Sequence, residues 1–352
     1  MKSRISRLSS LIKKSGAFYV SSPSDVFYLS GFCGTFARII AHKKRSFFIT
    51  DSRYKGEVKK LGLERDFDIV ITKSLRDDTK KILSKTDTVM MGSSTSLVDY
   101  LFIKETKKTQ VSGMISDMRM IKDAGEIRLI KKAVSINEAG ILHIASIIRP
   151  GVTEKDLSLE FEYYVRTHGA DSLSFDPIIA FGPASAVPHH KTSNAKLKKN
   201  TLILMDCGVK YKGYCSDLTR CISFGIMHTL FKDVEKRYNM VKSAKQAGFG
   251  EYKSGAFVRL ADAKARFSLK KQGNLDKLFT HSLGHGIGID IHEPPAVNAK
   301  DKGRFRPGMV LSCEPGIYME GRYGIRIEDD YLITEKGPKK LGKLSDALII
   351  ID

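Results

Sequence analysis

Five side chains suited to hard cations are spread between positions 206 and 328, each on a strand-like or turn-like segment of its own. Asp206 leads into Cys207-Gly208, and Asp217 ends Tyr214-Cys215-Ser216-Asp217. His285 lies in a small and apolar run, Thr280-His281-Ser282-Leu283-Gly284-His285-Gly286-Ile287-Gly288, followed by His292-Glu293-Pro294-Pro295. Glu314 opens Glu314-Pro315-Gly316, and Glu328 follows Gly324-Ile325-Arg326-Ile327. Residues so far apart in sequence meet only if the chain folds back on itself as hairpins that aim them at one point. Four carboxylates carry four negative charges, which two divalent cations balance. An oxygen-rich set with one imidazole suits Mn(II), with Co(II) or Zn(II) as alternatives. The pattern predicts a two-metal hydrolase, in which paired cations sharpen water as a nucleophile.

Hairpin registers add support. Leu202-Ile203-Leu204-Met205 is a continuous apolar run, Lys210-Tyr211-Lys212-Gly213 signals a turn, and residues 214–222 return. With Tyr211-Lys212 as the loop, Asp206 faces Asp217. A second hairpin folded about Gly321 sets Glu314 opposite Glu328. Like charges facing across a sheet are destabilising unless something neutralises them, and here two such pairs are expected. Taken singly, each residue has a plainer account: Asp217 as a turn residue, Glu314 as a surface acid, His285 as a structural histidine. Together they favour metal.

Composition narrows the partners. The 352 residues suffice for two domains, and no apolar run reaches the 18 or so residues that span a bilayer. The five cysteines, Cys33, Cys207, Cys215, Cys221 and Cys313, form no Cys-x-x-Cys pair. With no recognisable signal peptide, this favours a reducing cytoplasm and argues against a zinc-thiolate site. The formal charge of +20 raises nucleic acid as a partner. Yet the lysines are scattered as short pairs such as Lys13-Lys14 and Lys198-Lys199, so a solvated basic surface is preferred and no specific nucleic acid is expected. Residues 1–14 are basic and free of acids, as in a transit peptide, but Ile5, Leu8, Leu11 and Ile12 recur at helical spacing. A first domain helix is the expectation.

Along the chain, residues 17–110 read as a small α/β unit with strands near 17–20, 38–41, 46–50, 67–72 and 88–91. The expected domains are 1–118 and 119–352. A long helix is expected over residues 126–148, ending at Arg149-Pro150-Gly151. Thr153 is placed to cap a second helix, with Gly169 beyond its end. Strands follow to about 224, helix over about 230–271, then strands again. A helix pair followed by hairpins thus occurs twice, a hint of internal pseudo-repetition.

At this level of detail the chain resembles the pita-bread metallopeptidases, the group of methionine aminopeptidase, aminopeptidase P, proline dipeptidase and creatinase. Asp206, Asp217, His285, Glu314 and Glu328 match the five ligands of that family in type, order and flanking sequence. Residues 24–34 (SDVFYLSGFCG) and 50–54 (TDSRY) resemble the N-terminal domain of aminopeptidase P and proline dipeptidase, and residues 118–124 (MRMIKDA) their interdomain junction. The resemblance implies an α+β fold: a pita-bread C-terminal domain with a curved antiparallel sheet, preceded by a smaller creatinase-like α/β domain. It also implies a homodimer acting on proline-containing peptides, away from membranes.

The branch follows from the same residues. Methionine aminopeptidase usually lacks the N-terminal domain, creatinase has lost ligands, and Glu314-Pro315-Gly316 resembles the proline-specific enzymes. Cleavage between a first residue and a following proline (Xaa-Pro aminopeptidase) is therefore the favoured expectation, with proline dipeptidase the alternative. By resemblance, Glu314 shuttles a proton to the leaving nitrogen, and His292 donates to the developing oxyanion or the substrate. A further substrate-facing histidine falls at Pro188-His189-His190, where spacing favours His189. His281 and Arg326 are expected to orient ligands or neighbouring histidines, with buried ion pairing and no catalytic part the equal alternative for Arg326. His292, Arg326 and the basic N-terminal domain are the candidates for recognising a free proline carboxylate. A metal-free basic binding module is the remote rival, made improbable by the intact ligand set.

Overall fold

A computed structural model describes residues 3–352. The chain separates into two compact units, Met1–Arg119 and Met120–Asp352.

The first unit opens with α1 (Arg4–Leu11), capped by the Ser3 hydroxyl. Ile5, Leu8 and Ile12 are buried as the helical spacing predicts, whereas Leu11 is 55 % exposed. Next come β1 (Gly16–Val20), α2 (Pro23–Ser30), β2 (Arg38–His42), β3 (Ser46–Thr50), α3 (Lys55–Leu61), β4 (Asp68–Ile71), α4 (Leu75–Ile82), β5 (Thr88–Met91), α5 (Leu97–Lys104), β6 (Lys108–Val111) and α6 (Met114–Met120). The strands form one mixed sheet in the order β4-β3-β2-β1-β5-β6. Apolar side chains such as Tyr19, Ile40, Ile49, Val89 and Met91 make its core. The edge strand β6, Lys-Thr-Gln-Val, lies outside the strands read from sequence because its mostly exposed residues carry no apolar alternation.

In the second unit a helix pair precedes an antiparallel arrangement twice. The first pair is α7 (Ala124–Ile147) and α8 (Glu154–Thr167). Both begin with a reciprocal capping box, Asp123 with Glu126 and Thr153 with Asp156. Then follow β7 (Ser172–Leu173), β8 (Ile178–Phe181), β9 (Thr201–Cys207), β10 (Val209–Tyr211), β11 (Tyr214–Cys215) and β12 (Leu218–Phe224). Ile136, Ile141, Ile144, Phe161 and Val165 of the helices pack on Ile203, Met205 and Ile222 of the strands. The second pair is α9 (His228–Phe249) and α10 (Val258–Lys271), followed by β13 (Gly284–Gly286), β14 (Glu293–Val297), β15 (Val310–Cys313), β16 (Gly316–Met319), β17 (Tyr323–Arg326), β18 (Asp329–Thr334), β19 (Gly337–Lys340) and β20 (Ile349–Ile351). β20 closes back beside β12 in the order β20-β12-β9-β8, and a second sheet runs β14-β13-β15-β18-β19.

The first hairpin corrects one expectation. Its loop is Lys212-Gly213, not Tyr211-Lys212, and both loop residues have positive φ, 47° and 81°, as a two-residue hairpin turn demands. Tyr211 therefore pairs with Tyr214, and Asp206 faces Thr219 instead of Asp217. The shift is two residues, which leaves every side chain on its original face. Asp206 and Asp217 become diagonal neighbours. In the second hairpin the expected register appears: Gly316 faces Arg326 and Cys313 faces Asp329. Glu314 and Glu328 lie opposite one another in the short gap between these two ladders.

Close packing of α7 on α8 depends on Gly140. A Cβ there would come within 2.6 Å of the Phe161 ring and 2.7 Å of Val165, two side chains with no exposure. Alanine would gain about 1 kcal/mol in helix propensity, but overpacking costs roughly 1–3 kcal/mol. With both contacts under 3 Å the cost falls at the upper end, so Gly140→Ala is predicted to lower stability by up to about 2 kcal/mol net in urea unfolding. An unchanged or higher midpoint would contradict this packing.

Candidate metal centre

The metal-type residues converge. Asp206 ends β9, Asp217 precedes β12, His285 is central in β13, Glu314 follows β15 and Glu328 precedes β18. They share a cavity of about 690 Å³ that His189, His281, His292 and Arg326 also line. Phe175, Ile178, Pro188, Ile291, Pro294 and Pro295 supply its apolar wall. One donor atom each from Asp217, His285 and Glu328 lies within 4.8 Å of the other two. His285 Nε2 is 3.5 Å from Asp217 Oδ2 and 3.3 Å from Glu314 Oε1. Its Nδ1 sits 3.2 Å from the Gly286 carbonyl. With Nδ1 donating there, Nε2 would offer a cation its lone pair once the proton it shares with Glu314 in the metal-free protein is displaced.

Around these acids a set of hydrogen bonds fixes one oxygen of most carboxylates and leaves the other bare. Arg326 Nη2 donates to Asp206 Oδ2, its Nε to Thr219 Oγ1 at 3.1 Å, and its Nη1 to Tyr318 Oη at 2.7 Å. The Thr219 hydroxyl donates to Glu328 Oε2 at 2.6 Å. Tyr318 Oη is in turn 2.8 Å from His281 Nε2. Ser312 Oγ donates to Glu314 Oε1 at 3.2 Å and accepts the His285 backbone N–H. The Asp217 N–H donates to Asp330 Oδ2 at 3.0 Å. Asp206 Oδ1, Asp217 Oδ1, Glu328 Oε1 and Asp330 Oδ1 are buried with no hydrogen-bond partner. Bare buried carboxylate oxygens are costly, and cations are the partners that satisfy them. These residues fit a pair of divalent ions.

The electrostatics agree. Burial, then the charges of Glu328, Asp206 and Glu314, push the Asp217 carboxyl well above its ordinary range. Burial and the charges of Glu314 and Asp206 do the same to Glu328. Burial also pushes Glu314 up, but the His285 hydrogen bond and charge outweigh it and hold that carboxyl at about 2. Burial raises Asp330 as well.

Each residue singled out from sequence can now be placed. His189 and His292 line the cavity, and the His292 ring meets His285 edge-on at 4.3 Å. Burial, then His285, lowers the His292 pKa, which favours its neutral form. His190 turns elsewhere, its Nε2 2.8 Å from Glu154 Oε2. The Arg326 guanidinium is committed to Asp206, Thr219 and Tyr318, so it is not free to receive a substrate carboxylate. Tyr318, Thr219, Ser312 and Asp330 escaped the sequence reading. Each stands at an even number of residues from a metal-type acid, the spacing that puts strand residues on one face.

A carboxylate whose pKa is higher in the fold than in the unfolded chain stabilises the metal-free fold while protonated, and that contribution fades as pH rises. Asp217 and Glu328 are of this kind, so cation binding must expel their protons. Apparent Mn(II) affinity is predicted to keep rising with pH above the range in which ordinary carboxylates titrate. Calorimetry in buffers of different ionisation enthalpy reports the released protons. A flat profile without proton release would contradict the placement of these acids.

Comparison with known proteins accords with this centre. Residues 128–335 match the model of metallopeptidase family M24, and residues 4–121 match the creatinase/prolidase N-terminal domain. The protein is similar to the Xaa-Pro dipeptidase of Pyrococcus furiosus, at 32% identity over 99% of this chain and 100% of the relative. Among solved structures it resembles the Xaa-Pro dipeptidase from Bacillus anthracis, with TM-score 0.92, 35% identity and 99% of each chain covered. It likewise resembles the X-Pro aminopeptidase from Thermotoga maritima, with TM-score 0.88, 33% identity, and 99% and 100% covered. The chain belongs to metallopeptidase family M24, with the pita-bread catalytic domain and creatinase-type N-terminal domain that its sequence resembles.

Proposed function

We propose that the protein is an Xaa-Pro dipeptidase, hydrolysing the bond between a first residue and a C-terminal proline. This departs from the aminopeptidase preference drawn from sequence. The carrying observation is near-full-length likeness to two proteins named as Xaa-Pro dipeptidases. The cavity is compatible with that chemistry. A dipeptidase must receive a free carboxylate close to the scissile bond, and Arg326, one sequence candidate, is already committed. His292, another sequence candidate, and His189, which the sequence reading gave only as substrate-facing, both line the cavity without a side-chain hydrogen bond or ion pair among the described residues. An N–H donor to a carboxylate makes a charge-assisted bond worth about 1.5–3 kcal/mol.

Asp206, Asp217, His285, Glu314 and Glu328 would hold two divalent cations, Mn(II) first among them and Co(II) or Zn(II) as alternatives. When bound, such ions polarise the scissile carbonyl and lower the pKa of water. Glu314, whose Oε1 lies 3.3 Å from His285 Nε2 in the cavity, takes the proton of the attacking water and passes it to the proline nitrogen as the bond breaks. His292 donates to the oxygen on which charge develops. The Arg326-Tyr318-His281 chain orients Asp206 and keeps the wall behind it rigid. The apolar residues opposite give the pyrrolidine ring a surface that excludes water. The unpaired cysteines suit a reducing cytoplasm, and we assign the protein there as a homodimer.

A substrate series tests the proposal. With Mn(II), Ala-Pro is expected to be cleaved at least about tenfold more efficiently than Ala-Pro-amide or Ala-Pro-Ala, the loss of one charged hydrogen bond. Asp217→Ala should remove activity on all three. Faster cleavage of the tripeptide would establish the aminopeptidase instead, and the X-Pro aminopeptidase likeness keeps that reading in contention.

A further inference from the structure

Glu154, the first residue of α8, has no exposure and is absent from the cavity wall. Four donors meet its carboxylate. Phe181 N–H reaches Oε1 at 2.9 Å, while Ser193 N–H at 2.9 Å, Ser193 Oγ at 2.7 Å and His190 Nε2 at 2.8 Å all reach Oε2. The N-terminal end of α8 adds a favourable dipole. Burial pushes the Glu154 carboxyl up, but the His190 and Ser193 bonds prevail and hold it below its ordinary range. An ionised carboxylate buried this fully is tolerable only while its donors stay in place.

Those donors belong to the end of β8 and to the loop that carries His189. The same loop is stitched to α8 by backbone bonds, Lys155 N–H to Ser193 O at 3.0 Å and Glu154 N–H to Ala195 O at 3.2 Å. Its earlier part is tied to β17, where Gly324 N–H donates to Ser185 Oγ at 2.8 Å. A Cβ on Gly324 would fall 2.0 Å from the Ser185 carbonyl oxygen, so strand and loop touch backbone to backbone. His189 therefore sits in a held loop: the Pro188 carbonyl accepts from Arg326 Nη1 at 3.5 Å, the His190 N–H donates to the Val187 carbonyl at 3.1 Å, and the His190 ring is in the grip of Glu154. By contrast the His189 ring has no hydrogen-bond partner of its own among the described residues, so its direction is set by the backbone that carries it.

We propose that Glu154 is a positioning residue for His189: by clasping His190 and Ser193 it turns the neighbouring imidazole into the substrate cavity. The consequence for catalysis rests on the substrate-contacting role given to His189 above, whereas the clasp itself can be read without substrate. Neither Glu154 nor His190 touches the reacting groups.

Two readouts separate these levels in Glu154→Gln, which keeps the side chain's size but replaces one acceptor oxygen with a donor amide. In metal-free, ¹⁵N-histidine-labelled protein, the imidazole resonances of both His190 and His189 are expected to move, with that of His285 unchanged. In the Mn(II)-loaded enzyme, KM for Ala-Pro is expected to rise about tenfold, as for loss of a charged hydrogen bond, with a smaller change in kcat. That rise should vanish in a His189→Ala background, because the two substitutions then remove the same interaction. A His189 resonance that stays put, or a KM penalty equally large without His189, would overturn the proposal. If the wild-type protein cleaves no Xaa-Pro peptide, the functional assignment falls while the resonances still decide the clasp. Should Glu154→Gln fail to fold, Ser193→Ala, which removes one donor of four, carries the same test with an effect of about threefold in KM.

Discussion

Four carboxylates forced together out of water are the constraint on which this molecule is built. Asp206, Asp217 and Glu328 are buried, Glu314 nearly so, and Asp330 adds a fifth acid behind them. Protein cations offset only part of that charge: Arg326 on Asp206 and His285 between Asp217 and Glu314. The remainder leaves bare oxygens and carboxyl groups driven toward protonation. A chain that only had to fold would gain by replacing such a cluster with apolar residues. Its presence is intelligible as a cradle whose missing partners are metal ions.

The scaffold accordingly spends its other buried charges on holding that cradle rigid. On the back of the β18 region, Asp329 points to the opposite face from its neighbours Glu328, which lines the cavity, and Asp330, which accepts the Asp217 N–H. Asp329 meets Arg220 at 2.7 Å and Lys340 at 2.9 Å, with Lys245 in direct contact as well. Burial would push Asp329 up, but these three cations hold it at about 2. Arg220, with no exposure, also donates to the backbone carbonyls of Thr219 and Glu328. The backbone on either side of a metal-type acid is thus gripped from behind while its side chain faces the cavity. Lys122 performs a similar service for the loop carrying His292, pairing at 3.1 Å with Glu293, which accepts the Ile289 and Asp290 N–H groups. The loop carrying His292 and the acids of the cavity are in this way attached to separate buried anchors.

Much of this was legible in the residues. Acids of the right type on separate strand-like segments predicted convergence, and the apolar periodicity of α7 and α8 and their caps gave the helices. The second hairpin followed from its glycine turn at Gly321. The register of the first does not follow in this way, because a two-residue turn needs positive φ at both positions: Lys212-Gly213 meets this with one glycine, whereas Tyr211-Lys212 would force it on two residues that carry a Cβ. The two-residue difference in register preserves the face of the strand, so the acids still converge. Tyr318, Thr219, Ser312 and Asp330 were missed for a different reason. Hydroxyls and acids in strands are ordinary, and only the knowledge that Asp217, Glu314 and Glu328 face the cavity makes their even-numbered neighbours candidates. Spacing favours His189 over His190 in the sequence, and Glu154, 35 and 36 positions earlier, gives the physical reason that no local pattern supplies, because it binds the His190 ring.

Two cations are expected to occupy the cradle made by Asp206, Asp217, His285, Glu314 and Glu328. Anomalous diffraction from crystals of the manganese-loaded protein tests it most directly. Two peaks are expected, both within coordination distance of these side chains and close enough to share a ligand. A single peak, or manganese bound elsewhere while these carboxylates stay splayed and metal-free, would contradict it.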